Sequence, residues 1–475
     1  MKAQNSHQAA SLRPEKPAIA KPATASAAAV KGGDPFKRTL TVFDMVVYGL
    51  ISMVPIAPMA IYGGVFQASN GMPTLAYIIG FAAVLFSVFS FGIMIRLFPS
   101  SGSIFTYASH IMGKAMGFLT GWLMLLQYLV TPTLMYIIAG TALHGFIPQV
   151  PVWGFCLMFL AFVAAVSLRG MKTTMVVNRI ALVAELVVLG IFVVLGVYYV
   201  VTHPATSAFT ATALVDPAHF DLGGTMSAVS LAVLSYVGFG CIATLTQEAV
   251  DEKQGPPKAM LIMALILVVL FAGQCYLATC IDPTGASFAN DPDNGFYVVA
   301  QMVAGPWLAI LCAIAVALSQ GVFTALVSQT STALIIYTMA KGGSLPKRLG
   351  TLKEGTNLPL AATVFVLALS LVLVLIMAPL GVSEVAKVSN FGALATYAIL
   401  NVCVIWYCWF TRKERKGPKA VLMHLVFPLA GALICLGILV SLSIVALVVG
   451  AAWIVVGIGY YCVVRFGLHR DITMA

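Results

Sequence analysis

Long runs without charged residues dominate the chain. No Asp, Glu, Lys or Arg occurs between Lys114 and Arg169, from Asn294 to Ala340 or from Ala420 to Val464. A helix needs roughly 20 apolar residues to cross a bilayer, so each run holds one or two spanning helices. Apolar runs between turn residues and charges predict twelve spans, near 41–67, 73–96, 115–144, 152–168, 176–201, 226–248, 258–281, 305–339, 358–379, 385–410, 420–441 and 443–464. The pattern therefore predicts an all-α polytopic membrane protein.

The amino terminus has a different pattern. Residues 1–35 are rich in Ala, Pro, Lys and Ser and lack the apolar core and cleavage site of a signal peptide. Such a segment cannot bury enough apolar area to offset the entropy of ordering, so we expect a disordered tail. The chain accordingly divides into a tail at 1–35 and a twelve-helix domain at 36–475.

Two spans carry residues that interrupt a helix. Pro55 and Pro58 in the first span each remove a backbone donor, and Gly238 and Gly240 frame an aromatic residue in the sixth. Interrupted helices at matched positions are typical of transporters built from an inverted five-plus-five repeat, here followed by two further helices. The alternative is that the prolines only kink a packed helix and that the glycines allow close packing.

An interrupted helix supplies a binding site. Irregular backbone at mid-membrane persists where it lines a cavity, and its free amide and carbonyl groups can bind a carboxylate or an ammonium group. We therefore predict substrate contacts from two sets of residues. They are Ser52, Met53, Val54, Ile56 and Ala57 on the first span and Ser235, Tyr236, Gly238, Phe239, Gly240 and Cys241 on the sixth.

Two acidic residues are candidates for proton coupling or gating. Glu185 lies midway along the fifth span, where a carboxylate costs roughly 2.5–3.5 kcal/mol to insert. A low dielectric disfavours its charged form, so Glu185 is a candidate proton carrier; alternatively, it is a protonated side chain bonded to a neighbouring helix. Glu248 follows the sixth break, and its position alone makes it a cytoplasmic partner for Lys253 or Lys258. On the eighth span we expect polar side chains to bond between helices: Ser319, Gln320, Ser328 and Gln329.

Composition and charge agree with a membrane protein. Apolar residues make up 60% of the chain and charged residues 9%, against about 25% charged in soluble domains, which argues against a soluble enzyme or a nucleic-acid-binding protein. The spans place all 26 Lys and Arg residues except Lys387 on one side, and the positive-inside rule makes that side, with both termini, cytoplasmic. The outer side carries acids that would attract cations: Asp216, Asp221, Asp282, Asp291, Asp293 and Glu384.

Metal and nucleotide chemistry have no signature in the sequence. The nine cysteines include no CxxC pair and no Cys/His pair at metal spacing, and no catalytic cluster is present. No Gly-rich Lys loop of the Walker type occurs, which argues against ATP-driven transport within this chain. We therefore expect no metal site, no cofactor and no enzyme activity.

Three stretches resemble the amino acid–polyamine–organocation (APC) permeases. The stretch Arg96 to Tyr128 is similar to the family's segment between its second and third helices, Ser235 to Met260 to its sixth helix and the following loop, and Lys387 to Asn401 to its tenth helix. The resemblance extends over about residues 40–465 and is greatest to the bacterial putrescine-importer branch. It implies twelve helices with a LeuT-type inverted repeat and, usually, proton-coupled uptake of amino acids or amines.

The resemblance also bears on single residues. It implies that Glu248 is a substrate- or gate-facing acid, as the alternative to a partner for Lys253 or Lys258. It also implies that Tyr128 contacts substrate, although a lone tyrosine also serves packing or the membrane interface. Several APC members have a lysine at the position of Glu185, where it takes the place of a coupling sodium ion. The putrescine importers have an Asp where this chain has Gln127 and another where it has Gly240.

Together these observations predict a secondary active importer of a small amino acid or amine in a bacterial-type cytoplasmic membrane, with proton coupling through Glu185, Glu248 or both. The alternative within transport is an exchanger that swaps an amino acid for an amine. A sensor or receptor is disfavoured because the tail and loops hold no folded signalling domain. The expected partners are the small substrate, protons and lipid, and the oligomeric state stays open.

Overall fold

The computed structural model describes residues 39–99, 103–169, 174–343, 345–352 and 358–467, so the tail predicted at 1–35 lies outside the described residues. Within these ranges the regular structure is helical, apart from one isolated parallel bridge between Leu40 and Ala249. The α-helices are α1 Val42–Met53, α2 Tyr62–Ala68, α3 Pro73–Leu97, α4 Ile104–Met112, α5 Lys114–His144, α6 Val152–Ser167, α7 Thr174–Thr202, α8 Leu222–Tyr236, α9 Cys241–Thr244, α10 Gly255–Ile281, α11 Gly295–Ala304, α12 Pro306–Leu318, α13 Ala325–Lys341, α14 Leu360–Met377, α15 Gly381–Val404, α16 Pro418–Val421, α17 Phe427–Val440 and α18 Ile444–Cys462.

Ten helical segments of the described chain are long and apolar enough to cross a membrane, which makes this a multi-pass membrane protein. They are Val42–Ala60, Pro73–Leu97, Lys114–His144, Asn178–Thr202, Leu222–Thr244, Gly255–Ile281, Pro306–Lys341, Leu360–Thr411, Pro418–Val440 and Ile444–Arg465. The spans predicted at 358–379 and 385–410 both fall in Leu360–Thr411, where Gly381 adopts a φ of 78° between α14 and α15. The span predicted at 152–168 corresponds to α6, a shorter apolar helix of 16 residues.

The first span is interrupted where the prolines predict. A capping box between Thr41 and Asp44 starts α1, which ends at Met53. Val54 adopts a positive φ of 54°, and the Ala57 amide donates to the Val54 carbonyl at 2.8 Å instead of continuing the helical ladder. A 3₁₀ turn, Ala57–Ala60, precedes α2.

The sixth span is interrupted at its glycines. Helix α8 ends at Tyr236, Gly238 adopts a φ of 137°, and α9 begins at Cys241. A Cβ atom on Gly238 would lie 3.4 Å from Met53 Cγ and 3.7 Å from the Ser52 carbonyl oxygen. The two interruptions therefore meet inside the bundle, and glycine allows the close approach.

Helix α2 closes tightly against the loop before α11. The Tyr62 ring packs on Phe288 and Phe296, with centroids 5.7 and 5.8 Å apart. A Cβ atom on Gly63 would come within 2.2 Å of the Pro292 carbonyl oxygen, and the Gln67 side chain donates to a backbone carbonyl of the same loop. We call this contact the α2 seam. The α2 seam closes one face of the bundle. We call the opposite face, where Leu40–Tyr48 lies, the N-terminal face.

A pair of tryptophans joins α5 to α18. The Trp122 and Trp453 rings stack at 4.8 Å, and each indole N–H donates to the other residue's carbonyl at 2.8 Å. Gly457 makes room for this pair, because a Cβ atom there would lie 2.4 Å from Trp122 Cδ1.

We expect Gly457→Ala to destabilise the fold, because the Trp122 ring is held at both faces and cannot move aside. Overpacking of this kind costs about 1–3 kcal/mol. The measurement is the thermal transition of the purified protein, followed by gel filtration. Gly459→Ala is the matched control, since nothing lies within 4 Å of its Cβ position. Equal transition temperatures for the two variants would contradict this account of the tryptophan pair.

Candidate functional site

A cavity of about 150 Å³ lies where the two interrupted spans meet. We call it the central cavity. Its walls come from both interruptions, from the middle of α5, and from the eighth span. The lining residues are Tyr48, Ser52, Met53, Val54, Ala57, Ile61, Gln127, Tyr128, Thr131, Met135, Ile138, Leu234, Ser235, Val237, Gly238, Cys241, Gln320, Thr324, Val327, Ser328 and Ser331.

The structure brings most of the predicted contact residues to this cavity. Its lining includes Ser52, Met53, Val54, Ala57, Tyr128, Ser235, Gly238 and Cys241. They converge because each interruption turns its backbone toward the other, whereas regular helices would carry several of these side chains elsewhere.

Three predicted contact residues lie outside the cavity linings that the structure describes. Ile56 is 0% exposed and packs in the core behind the first interruption. The Tyr236 hydroxyl donates to the Tyr77 carbonyl at 3.1 Å, and the Phe239 ring packs between other aromatic rings. In this conformation these side chains position the interruptions and do not face the central cavity.

A second cavity, also of about 150 Å³, adjoins the first. We call it the lower cavity. The two cavities share Gln127, Tyr128, Gly238 and Cys241 as lining residues, and Gly240 lines the lower one. Gln127 and Gly240 therefore face the same space. By the resemblance given above, putrescine importers have carboxylates at these two positions.

The walls of both cavities are electrically neutral. Among the described residues that line them there is no Asp, Glu, Lys or Arg. The lining of the central cavity combines apolar side chains, among them Val54, Ile61, Met135 and Ile138, with hydroxyl and amide side chains such as Ser52 and Gln127. Such a site can pack an apolar side chain and offer hydrogen bonds to polar groups, but it supplies no counter-ion from a side chain.

Sequence reasoning missed the contributions of α5 and the eighth span. On α5 the lining residues are Gln127, Thr131, Met135 and Ile138, which follow the three- and four-residue spacing of one helix face. Tyr128 was the only α5 residue predicted, and extending its face by this spacing identifies Thr131 and Met135.

The eighth span divides its polar residues between two roles. Ser319 bonds to Glu185, and Ser370 on α14 donates to Gln329, so these two residues bond between helices as predicted. Gln320 and Ser328 instead line the central cavity, which corrects the expectation for them. Ser319 and Gln320 begin a π-helical turn, Ser319–Thr324, and as consecutive residues of a helix they point toward different surroundings.

Glu185 lies beside the central cavity and not in it. Its side chain is 6% exposed, Oε1 accepts a hydrogen bond from the Ser319 hydroxyl, and Oε2 is buried with no partner among the described residues. Glu185 lines a void of about 20 Å³ together with Ser52 and Thr324, both of which also line the central cavity. A void of this size holds about one water molecule.

A wider cavity of about 420 Å³ continues from the centre toward the N-terminal face. We call it the vestibule. Tyr48 and Ser52 line both spaces, and the vestibule carries the charged residues Asp44, Arg179 and Glu248. The Glu248 carbonyl accepts hydrogen bonds from the Thr39 and Leu40 amides, so the segment before α1 is attached at this rim. The vestibule therefore adjoins the central cavity on this side, while the α2 seam closes the opposite face.

The six acids predicted on the outer side all have local partners. Asp293 accepts from the Val382 backbone, and burial together with the nearby Asp291 raises the pKa of its carboxyl. The other pairs are Asp216 with His219, Asp221 with the amides of Gly223 and Gly224, Asp282 with Thr284 and Ser287, Asp291 with Asn294, and Glu384 with Lys387. These contacts give the acids structural roles and weaken the argument that they attract cations.

The sequence matches known transporters along nearly its whole length. The family model of amino acid permeases matches residues 38–465. A low-affinity putrescine importer of Escherichia coli is 27% identical over 437 residues, which cover 90% of this chain and 94% of the importer. A branched-chain amino acid permease of Bacillus subtilis is 25% identical over 457 residues, covering 91% and 94%. A methylthioribose transporter of Bacillus subtilis is 22% identical over 450 residues, covering 88% and 92%.

We expect Gly63→Val to open the α2 seam, because its side chain would overlap the Pro292 carbonyl. Overpacking of about 1–3 kcal/mol corresponds to a roughly tenfold shift toward the open seam. The measurement is the rate at which a membrane-impermeant thiol reagent, applied at the face of α2, modifies Cys241 in oriented membranes. Gly190→Val is the control, since nothing lies within 4 Å of that Cβ position. The seam has no gating role if both variants react at the wild-type rate.

Proposed function

The chain belongs to the amino acid permease family of the APC superfamily, and on that premise we propose that it imports a small neutral amino acid in symport with protons. The observation that carries this choice of substrate is the absence of Asp, Glu, Lys and Arg among the described residues that line the central and lower cavities. A zwitterion brings one charge of each sign and needs no ionised side chain, whereas a diamine brings two positive charges and requires anions to balance them.

The interrupted backbone provides the groups that a zwitterion needs. Helix ends leave their last carbonyls without intrahelical donors, so the ends of α1 and α8 can accept hydrogen bonds from the ammonium group. Amides of the interrupted stretches donate to the carboxylate. Apolar lining residues such as Val54, Ile61, Met135 and Ile138 then pack against the substrate's side chain, which favours an aliphatic amino acid.

The architecture that we propose has twelve spans, with α6 as a short one and with α14 and α15 as two. The first ten form the inverted repeat that places the interruptions opposite each other, and α17 and α18 follow it. The N-terminal face is cytoplasmic because the basic residues lie on that side in the predicted topology. The vestibule then opens inward and the α2 seam closes the outside, so transport proceeds as spans 1, 2, 6 and 7 rock against the rest.

Glu185 is the proton carrier in this proposal. Its Oε2 has no partner among the described residues, and Glu185 lines a water-sized void that shares Ser52 and Thr324 with the central cavity. A change in the protonation of Glu185 therefore affects Ser52 on the first span and Thr324 on the eighth. These two spans move relative to each other between the inward-open and outward-open states. Glu248 acts at the cytoplasmic rim of the vestibule as a gate residue, because its backbone holds the segment before α1.

A diamine is the second candidate substrate, and similarity to the putrescine importer of Escherichia coli favours it. The neutral Gln127 and Gly240 argue against it, since they face the cavity in which carboxylates would bind the ammonium groups. Exchange of an amino acid for an amine is the alternative transport mode.

Uptake into proteoliposomes tests the proposal. We expect labelled leucine to accumulate under an acid-outside gradient, to collapse with a protonophore and to resist excess putrescine. Accumulation of putrescine without leucine would overturn the choice of substrate. Leucine uptake that occurs only with amino acid or amine preloaded inside, independent of the proton gradient, would establish exchange in place of symport.

We expect the double substitution Gln127→Asp and Gly240→Asp to create diamine binding, because it places two carboxylates at the lower cavity. A hydrogen bond to a charged group contributes about 1.5–3 kcal/mol, so inhibition by putrescine should strengthen at least about tenfold. The measurement is competition against the transported label. Gly240→Ala is the control for volume, since its Cβ would lie 3.5 Å from Phe91 Cζ, an ordinary contact. Unchanged competition would show that these positions do not set specificity.

We expect Glu185→Gln to abolish acid-driven accumulation while substrate counterflow continues, because an amide keeps the hydrogen bond from Ser319 but carries no exchangeable carboxyl proton. Ser319→Ala is the matched variant: it removes the hydrogen bond and keeps the carboxyl, so accumulation should persist with an altered pH profile. Proton carriage by Glu185 is wrong if Glu185→Gln accumulates substrate with the wild-type pH dependence.

A further inference from the structure

Three side chains of different chemistry meet at the connection between α15 and α17. They are Cys408, Glu414 and His424, and their ligand atoms all lie within 4.8 Å of one another. Cys408 is buried, the Glu414 side chain is 39% exposed and the His424 side chain 20%. None of the three residues lines the central cavity, and the proposed transport mechanism does not use them.

Local backbone geometry brings these residues together. A π-helical turn, Ile405–Thr411, extends α15 and carries Cys408. Lys413 then adopts a positive φ of 55° and the Glu414 amide donates to the Cys408 carbonyl at 3.0 Å, so the chain folds back onto its own helix. A second π-helical turn, Leu422–Val426, carries His424 toward the same point. Such turns are frequent at functional sites.

The distances approach those of a metal centre. Zinc binds Cys sulfur, His nitrogen and carboxylate oxygen at about 2.0–2.3 Å, which keeps the ligand atoms of a tetrahedral centre roughly 3.3–3.8 Å apart. His424 Nδ1 and Glu414 Oε2 are 3.6 Å apart. The mixed sulfur, nitrogen and oxygen set suits a borderline divalent ion such as Zn²⁺ better than Mg²⁺ or Ca²⁺.

The surrounding residues orient the ligands. The Arg412 Nη1 donates to Glu414 Oε1 at 3.2 Å and so directs Oε2 toward His424, as outer hydrogen bonds direct ligating carboxylates in metal sites. The two nearby guanidinium groups stack on aromatic rings, Arg412 over Tyr407 at 5.2 Å and Arg415 over Trp409 at 5.4 Å. A thiolate and a carboxylate together supply two negative charges in this otherwise basic loop.

We propose that Cys408, Glu414 and His424 bind a divalent ion of the zinc class, with water as the fourth ligand, and that the ion fastens the connection between α15 and α17. The sequence pattern predicts no metal site, because these residues have none of the short ligand spacings of zinc motifs. The fold-back at Lys413 and the two π-helical turns create the group.

Cobalt and zinc titrations of the full-length purified protein test the site. We expect the chelator-treated protein to bind one equivalent of Zn²⁺, and to show with Co²⁺ the near-ultraviolet charge-transfer band of a thiolate ligand. Cys408→Ser should remove that band, and Glu414→Gln and His424→Asn should each weaken Zn²⁺ binding at least tenfold. Cys403→Ser is the matched control, because this buried cysteine of α15 lies beside Met112 and outside the group.

Two results would overturn the proposal: no thiolate–cobalt band in the wild-type protein, or a band that persists in Cys408→Ser. Metal-free melting temperatures of all variants show whether each one folds. If Cys408→Ser does not fold, the affinities of Glu414→Gln and His424→Asn decide alone, and wild-type affinity in both excludes the site.

Discussion

A helix that is interrupted inside a bilayer must have its backbone polar groups satisfied by protein or by a water-filled cavity, because lipid offers no hydrogen bonds. The two interrupted spans and the central cavity between them depend on this constraint. Pro55 removes a donor from the first span and Gly238 turns the sixth, and the structure places the two interruptions in contact, with Gly238 beside Met53. The central cavity lies where these two interruptions meet, and their free backbone groups are the reason that we propose a zwitterion as its ligand.

In the proposed mechanism the distribution of charge separates substrate binding from proton coupling. The described walls of the central and lower cavities are neutral, while Glu185 is buried one layer away and Glu248 lies at the vestibule. Ser52 and Thr324 form the layer between the substrate space and the Glu185 void. A carboxylate in the binding cavity would attract cations, whereas one behind it can respond to pH and leave the binding site neutral.

The conformation depends on how closely helices can approach at small residues. Gly63 allows α2 to reach the Pro292 carbonyl, and Gly457 allows the Trp122 ring to lie flat against α18. These contacts differ in kind: the tryptophan pair is locked by two reciprocal hydrogen bonds, whereas the α2 seam consists mainly of packing. The seam has a side-chain hydrogen bond from Gln67 to the Ala289 carbonyl but no reciprocal pair like that of the tryptophans, and in the proposed mechanism it separates and reforms.

The sequence by itself determined the membrane class, the helical spans and both interruptions, because charge-free runs and prolines act locally and leave a one-dimensional signal. It also pointed to Glu185, since a carboxylate in an apolar span is conspicuous. The tertiary structure alone decided which faces meet. In the structure Gln127 and Gly240 line the same cavity, whereas Phe239 and Tyr236 are buried in packing contacts. Ser319 bonds to Glu185, while its neighbour Gln320 lines the central cavity. The sequence also could not predict the group of Cys408, Glu414 and His424. Register shifts and a chain reversal bring these residues together, and their spacing along the chain gives no sign of it.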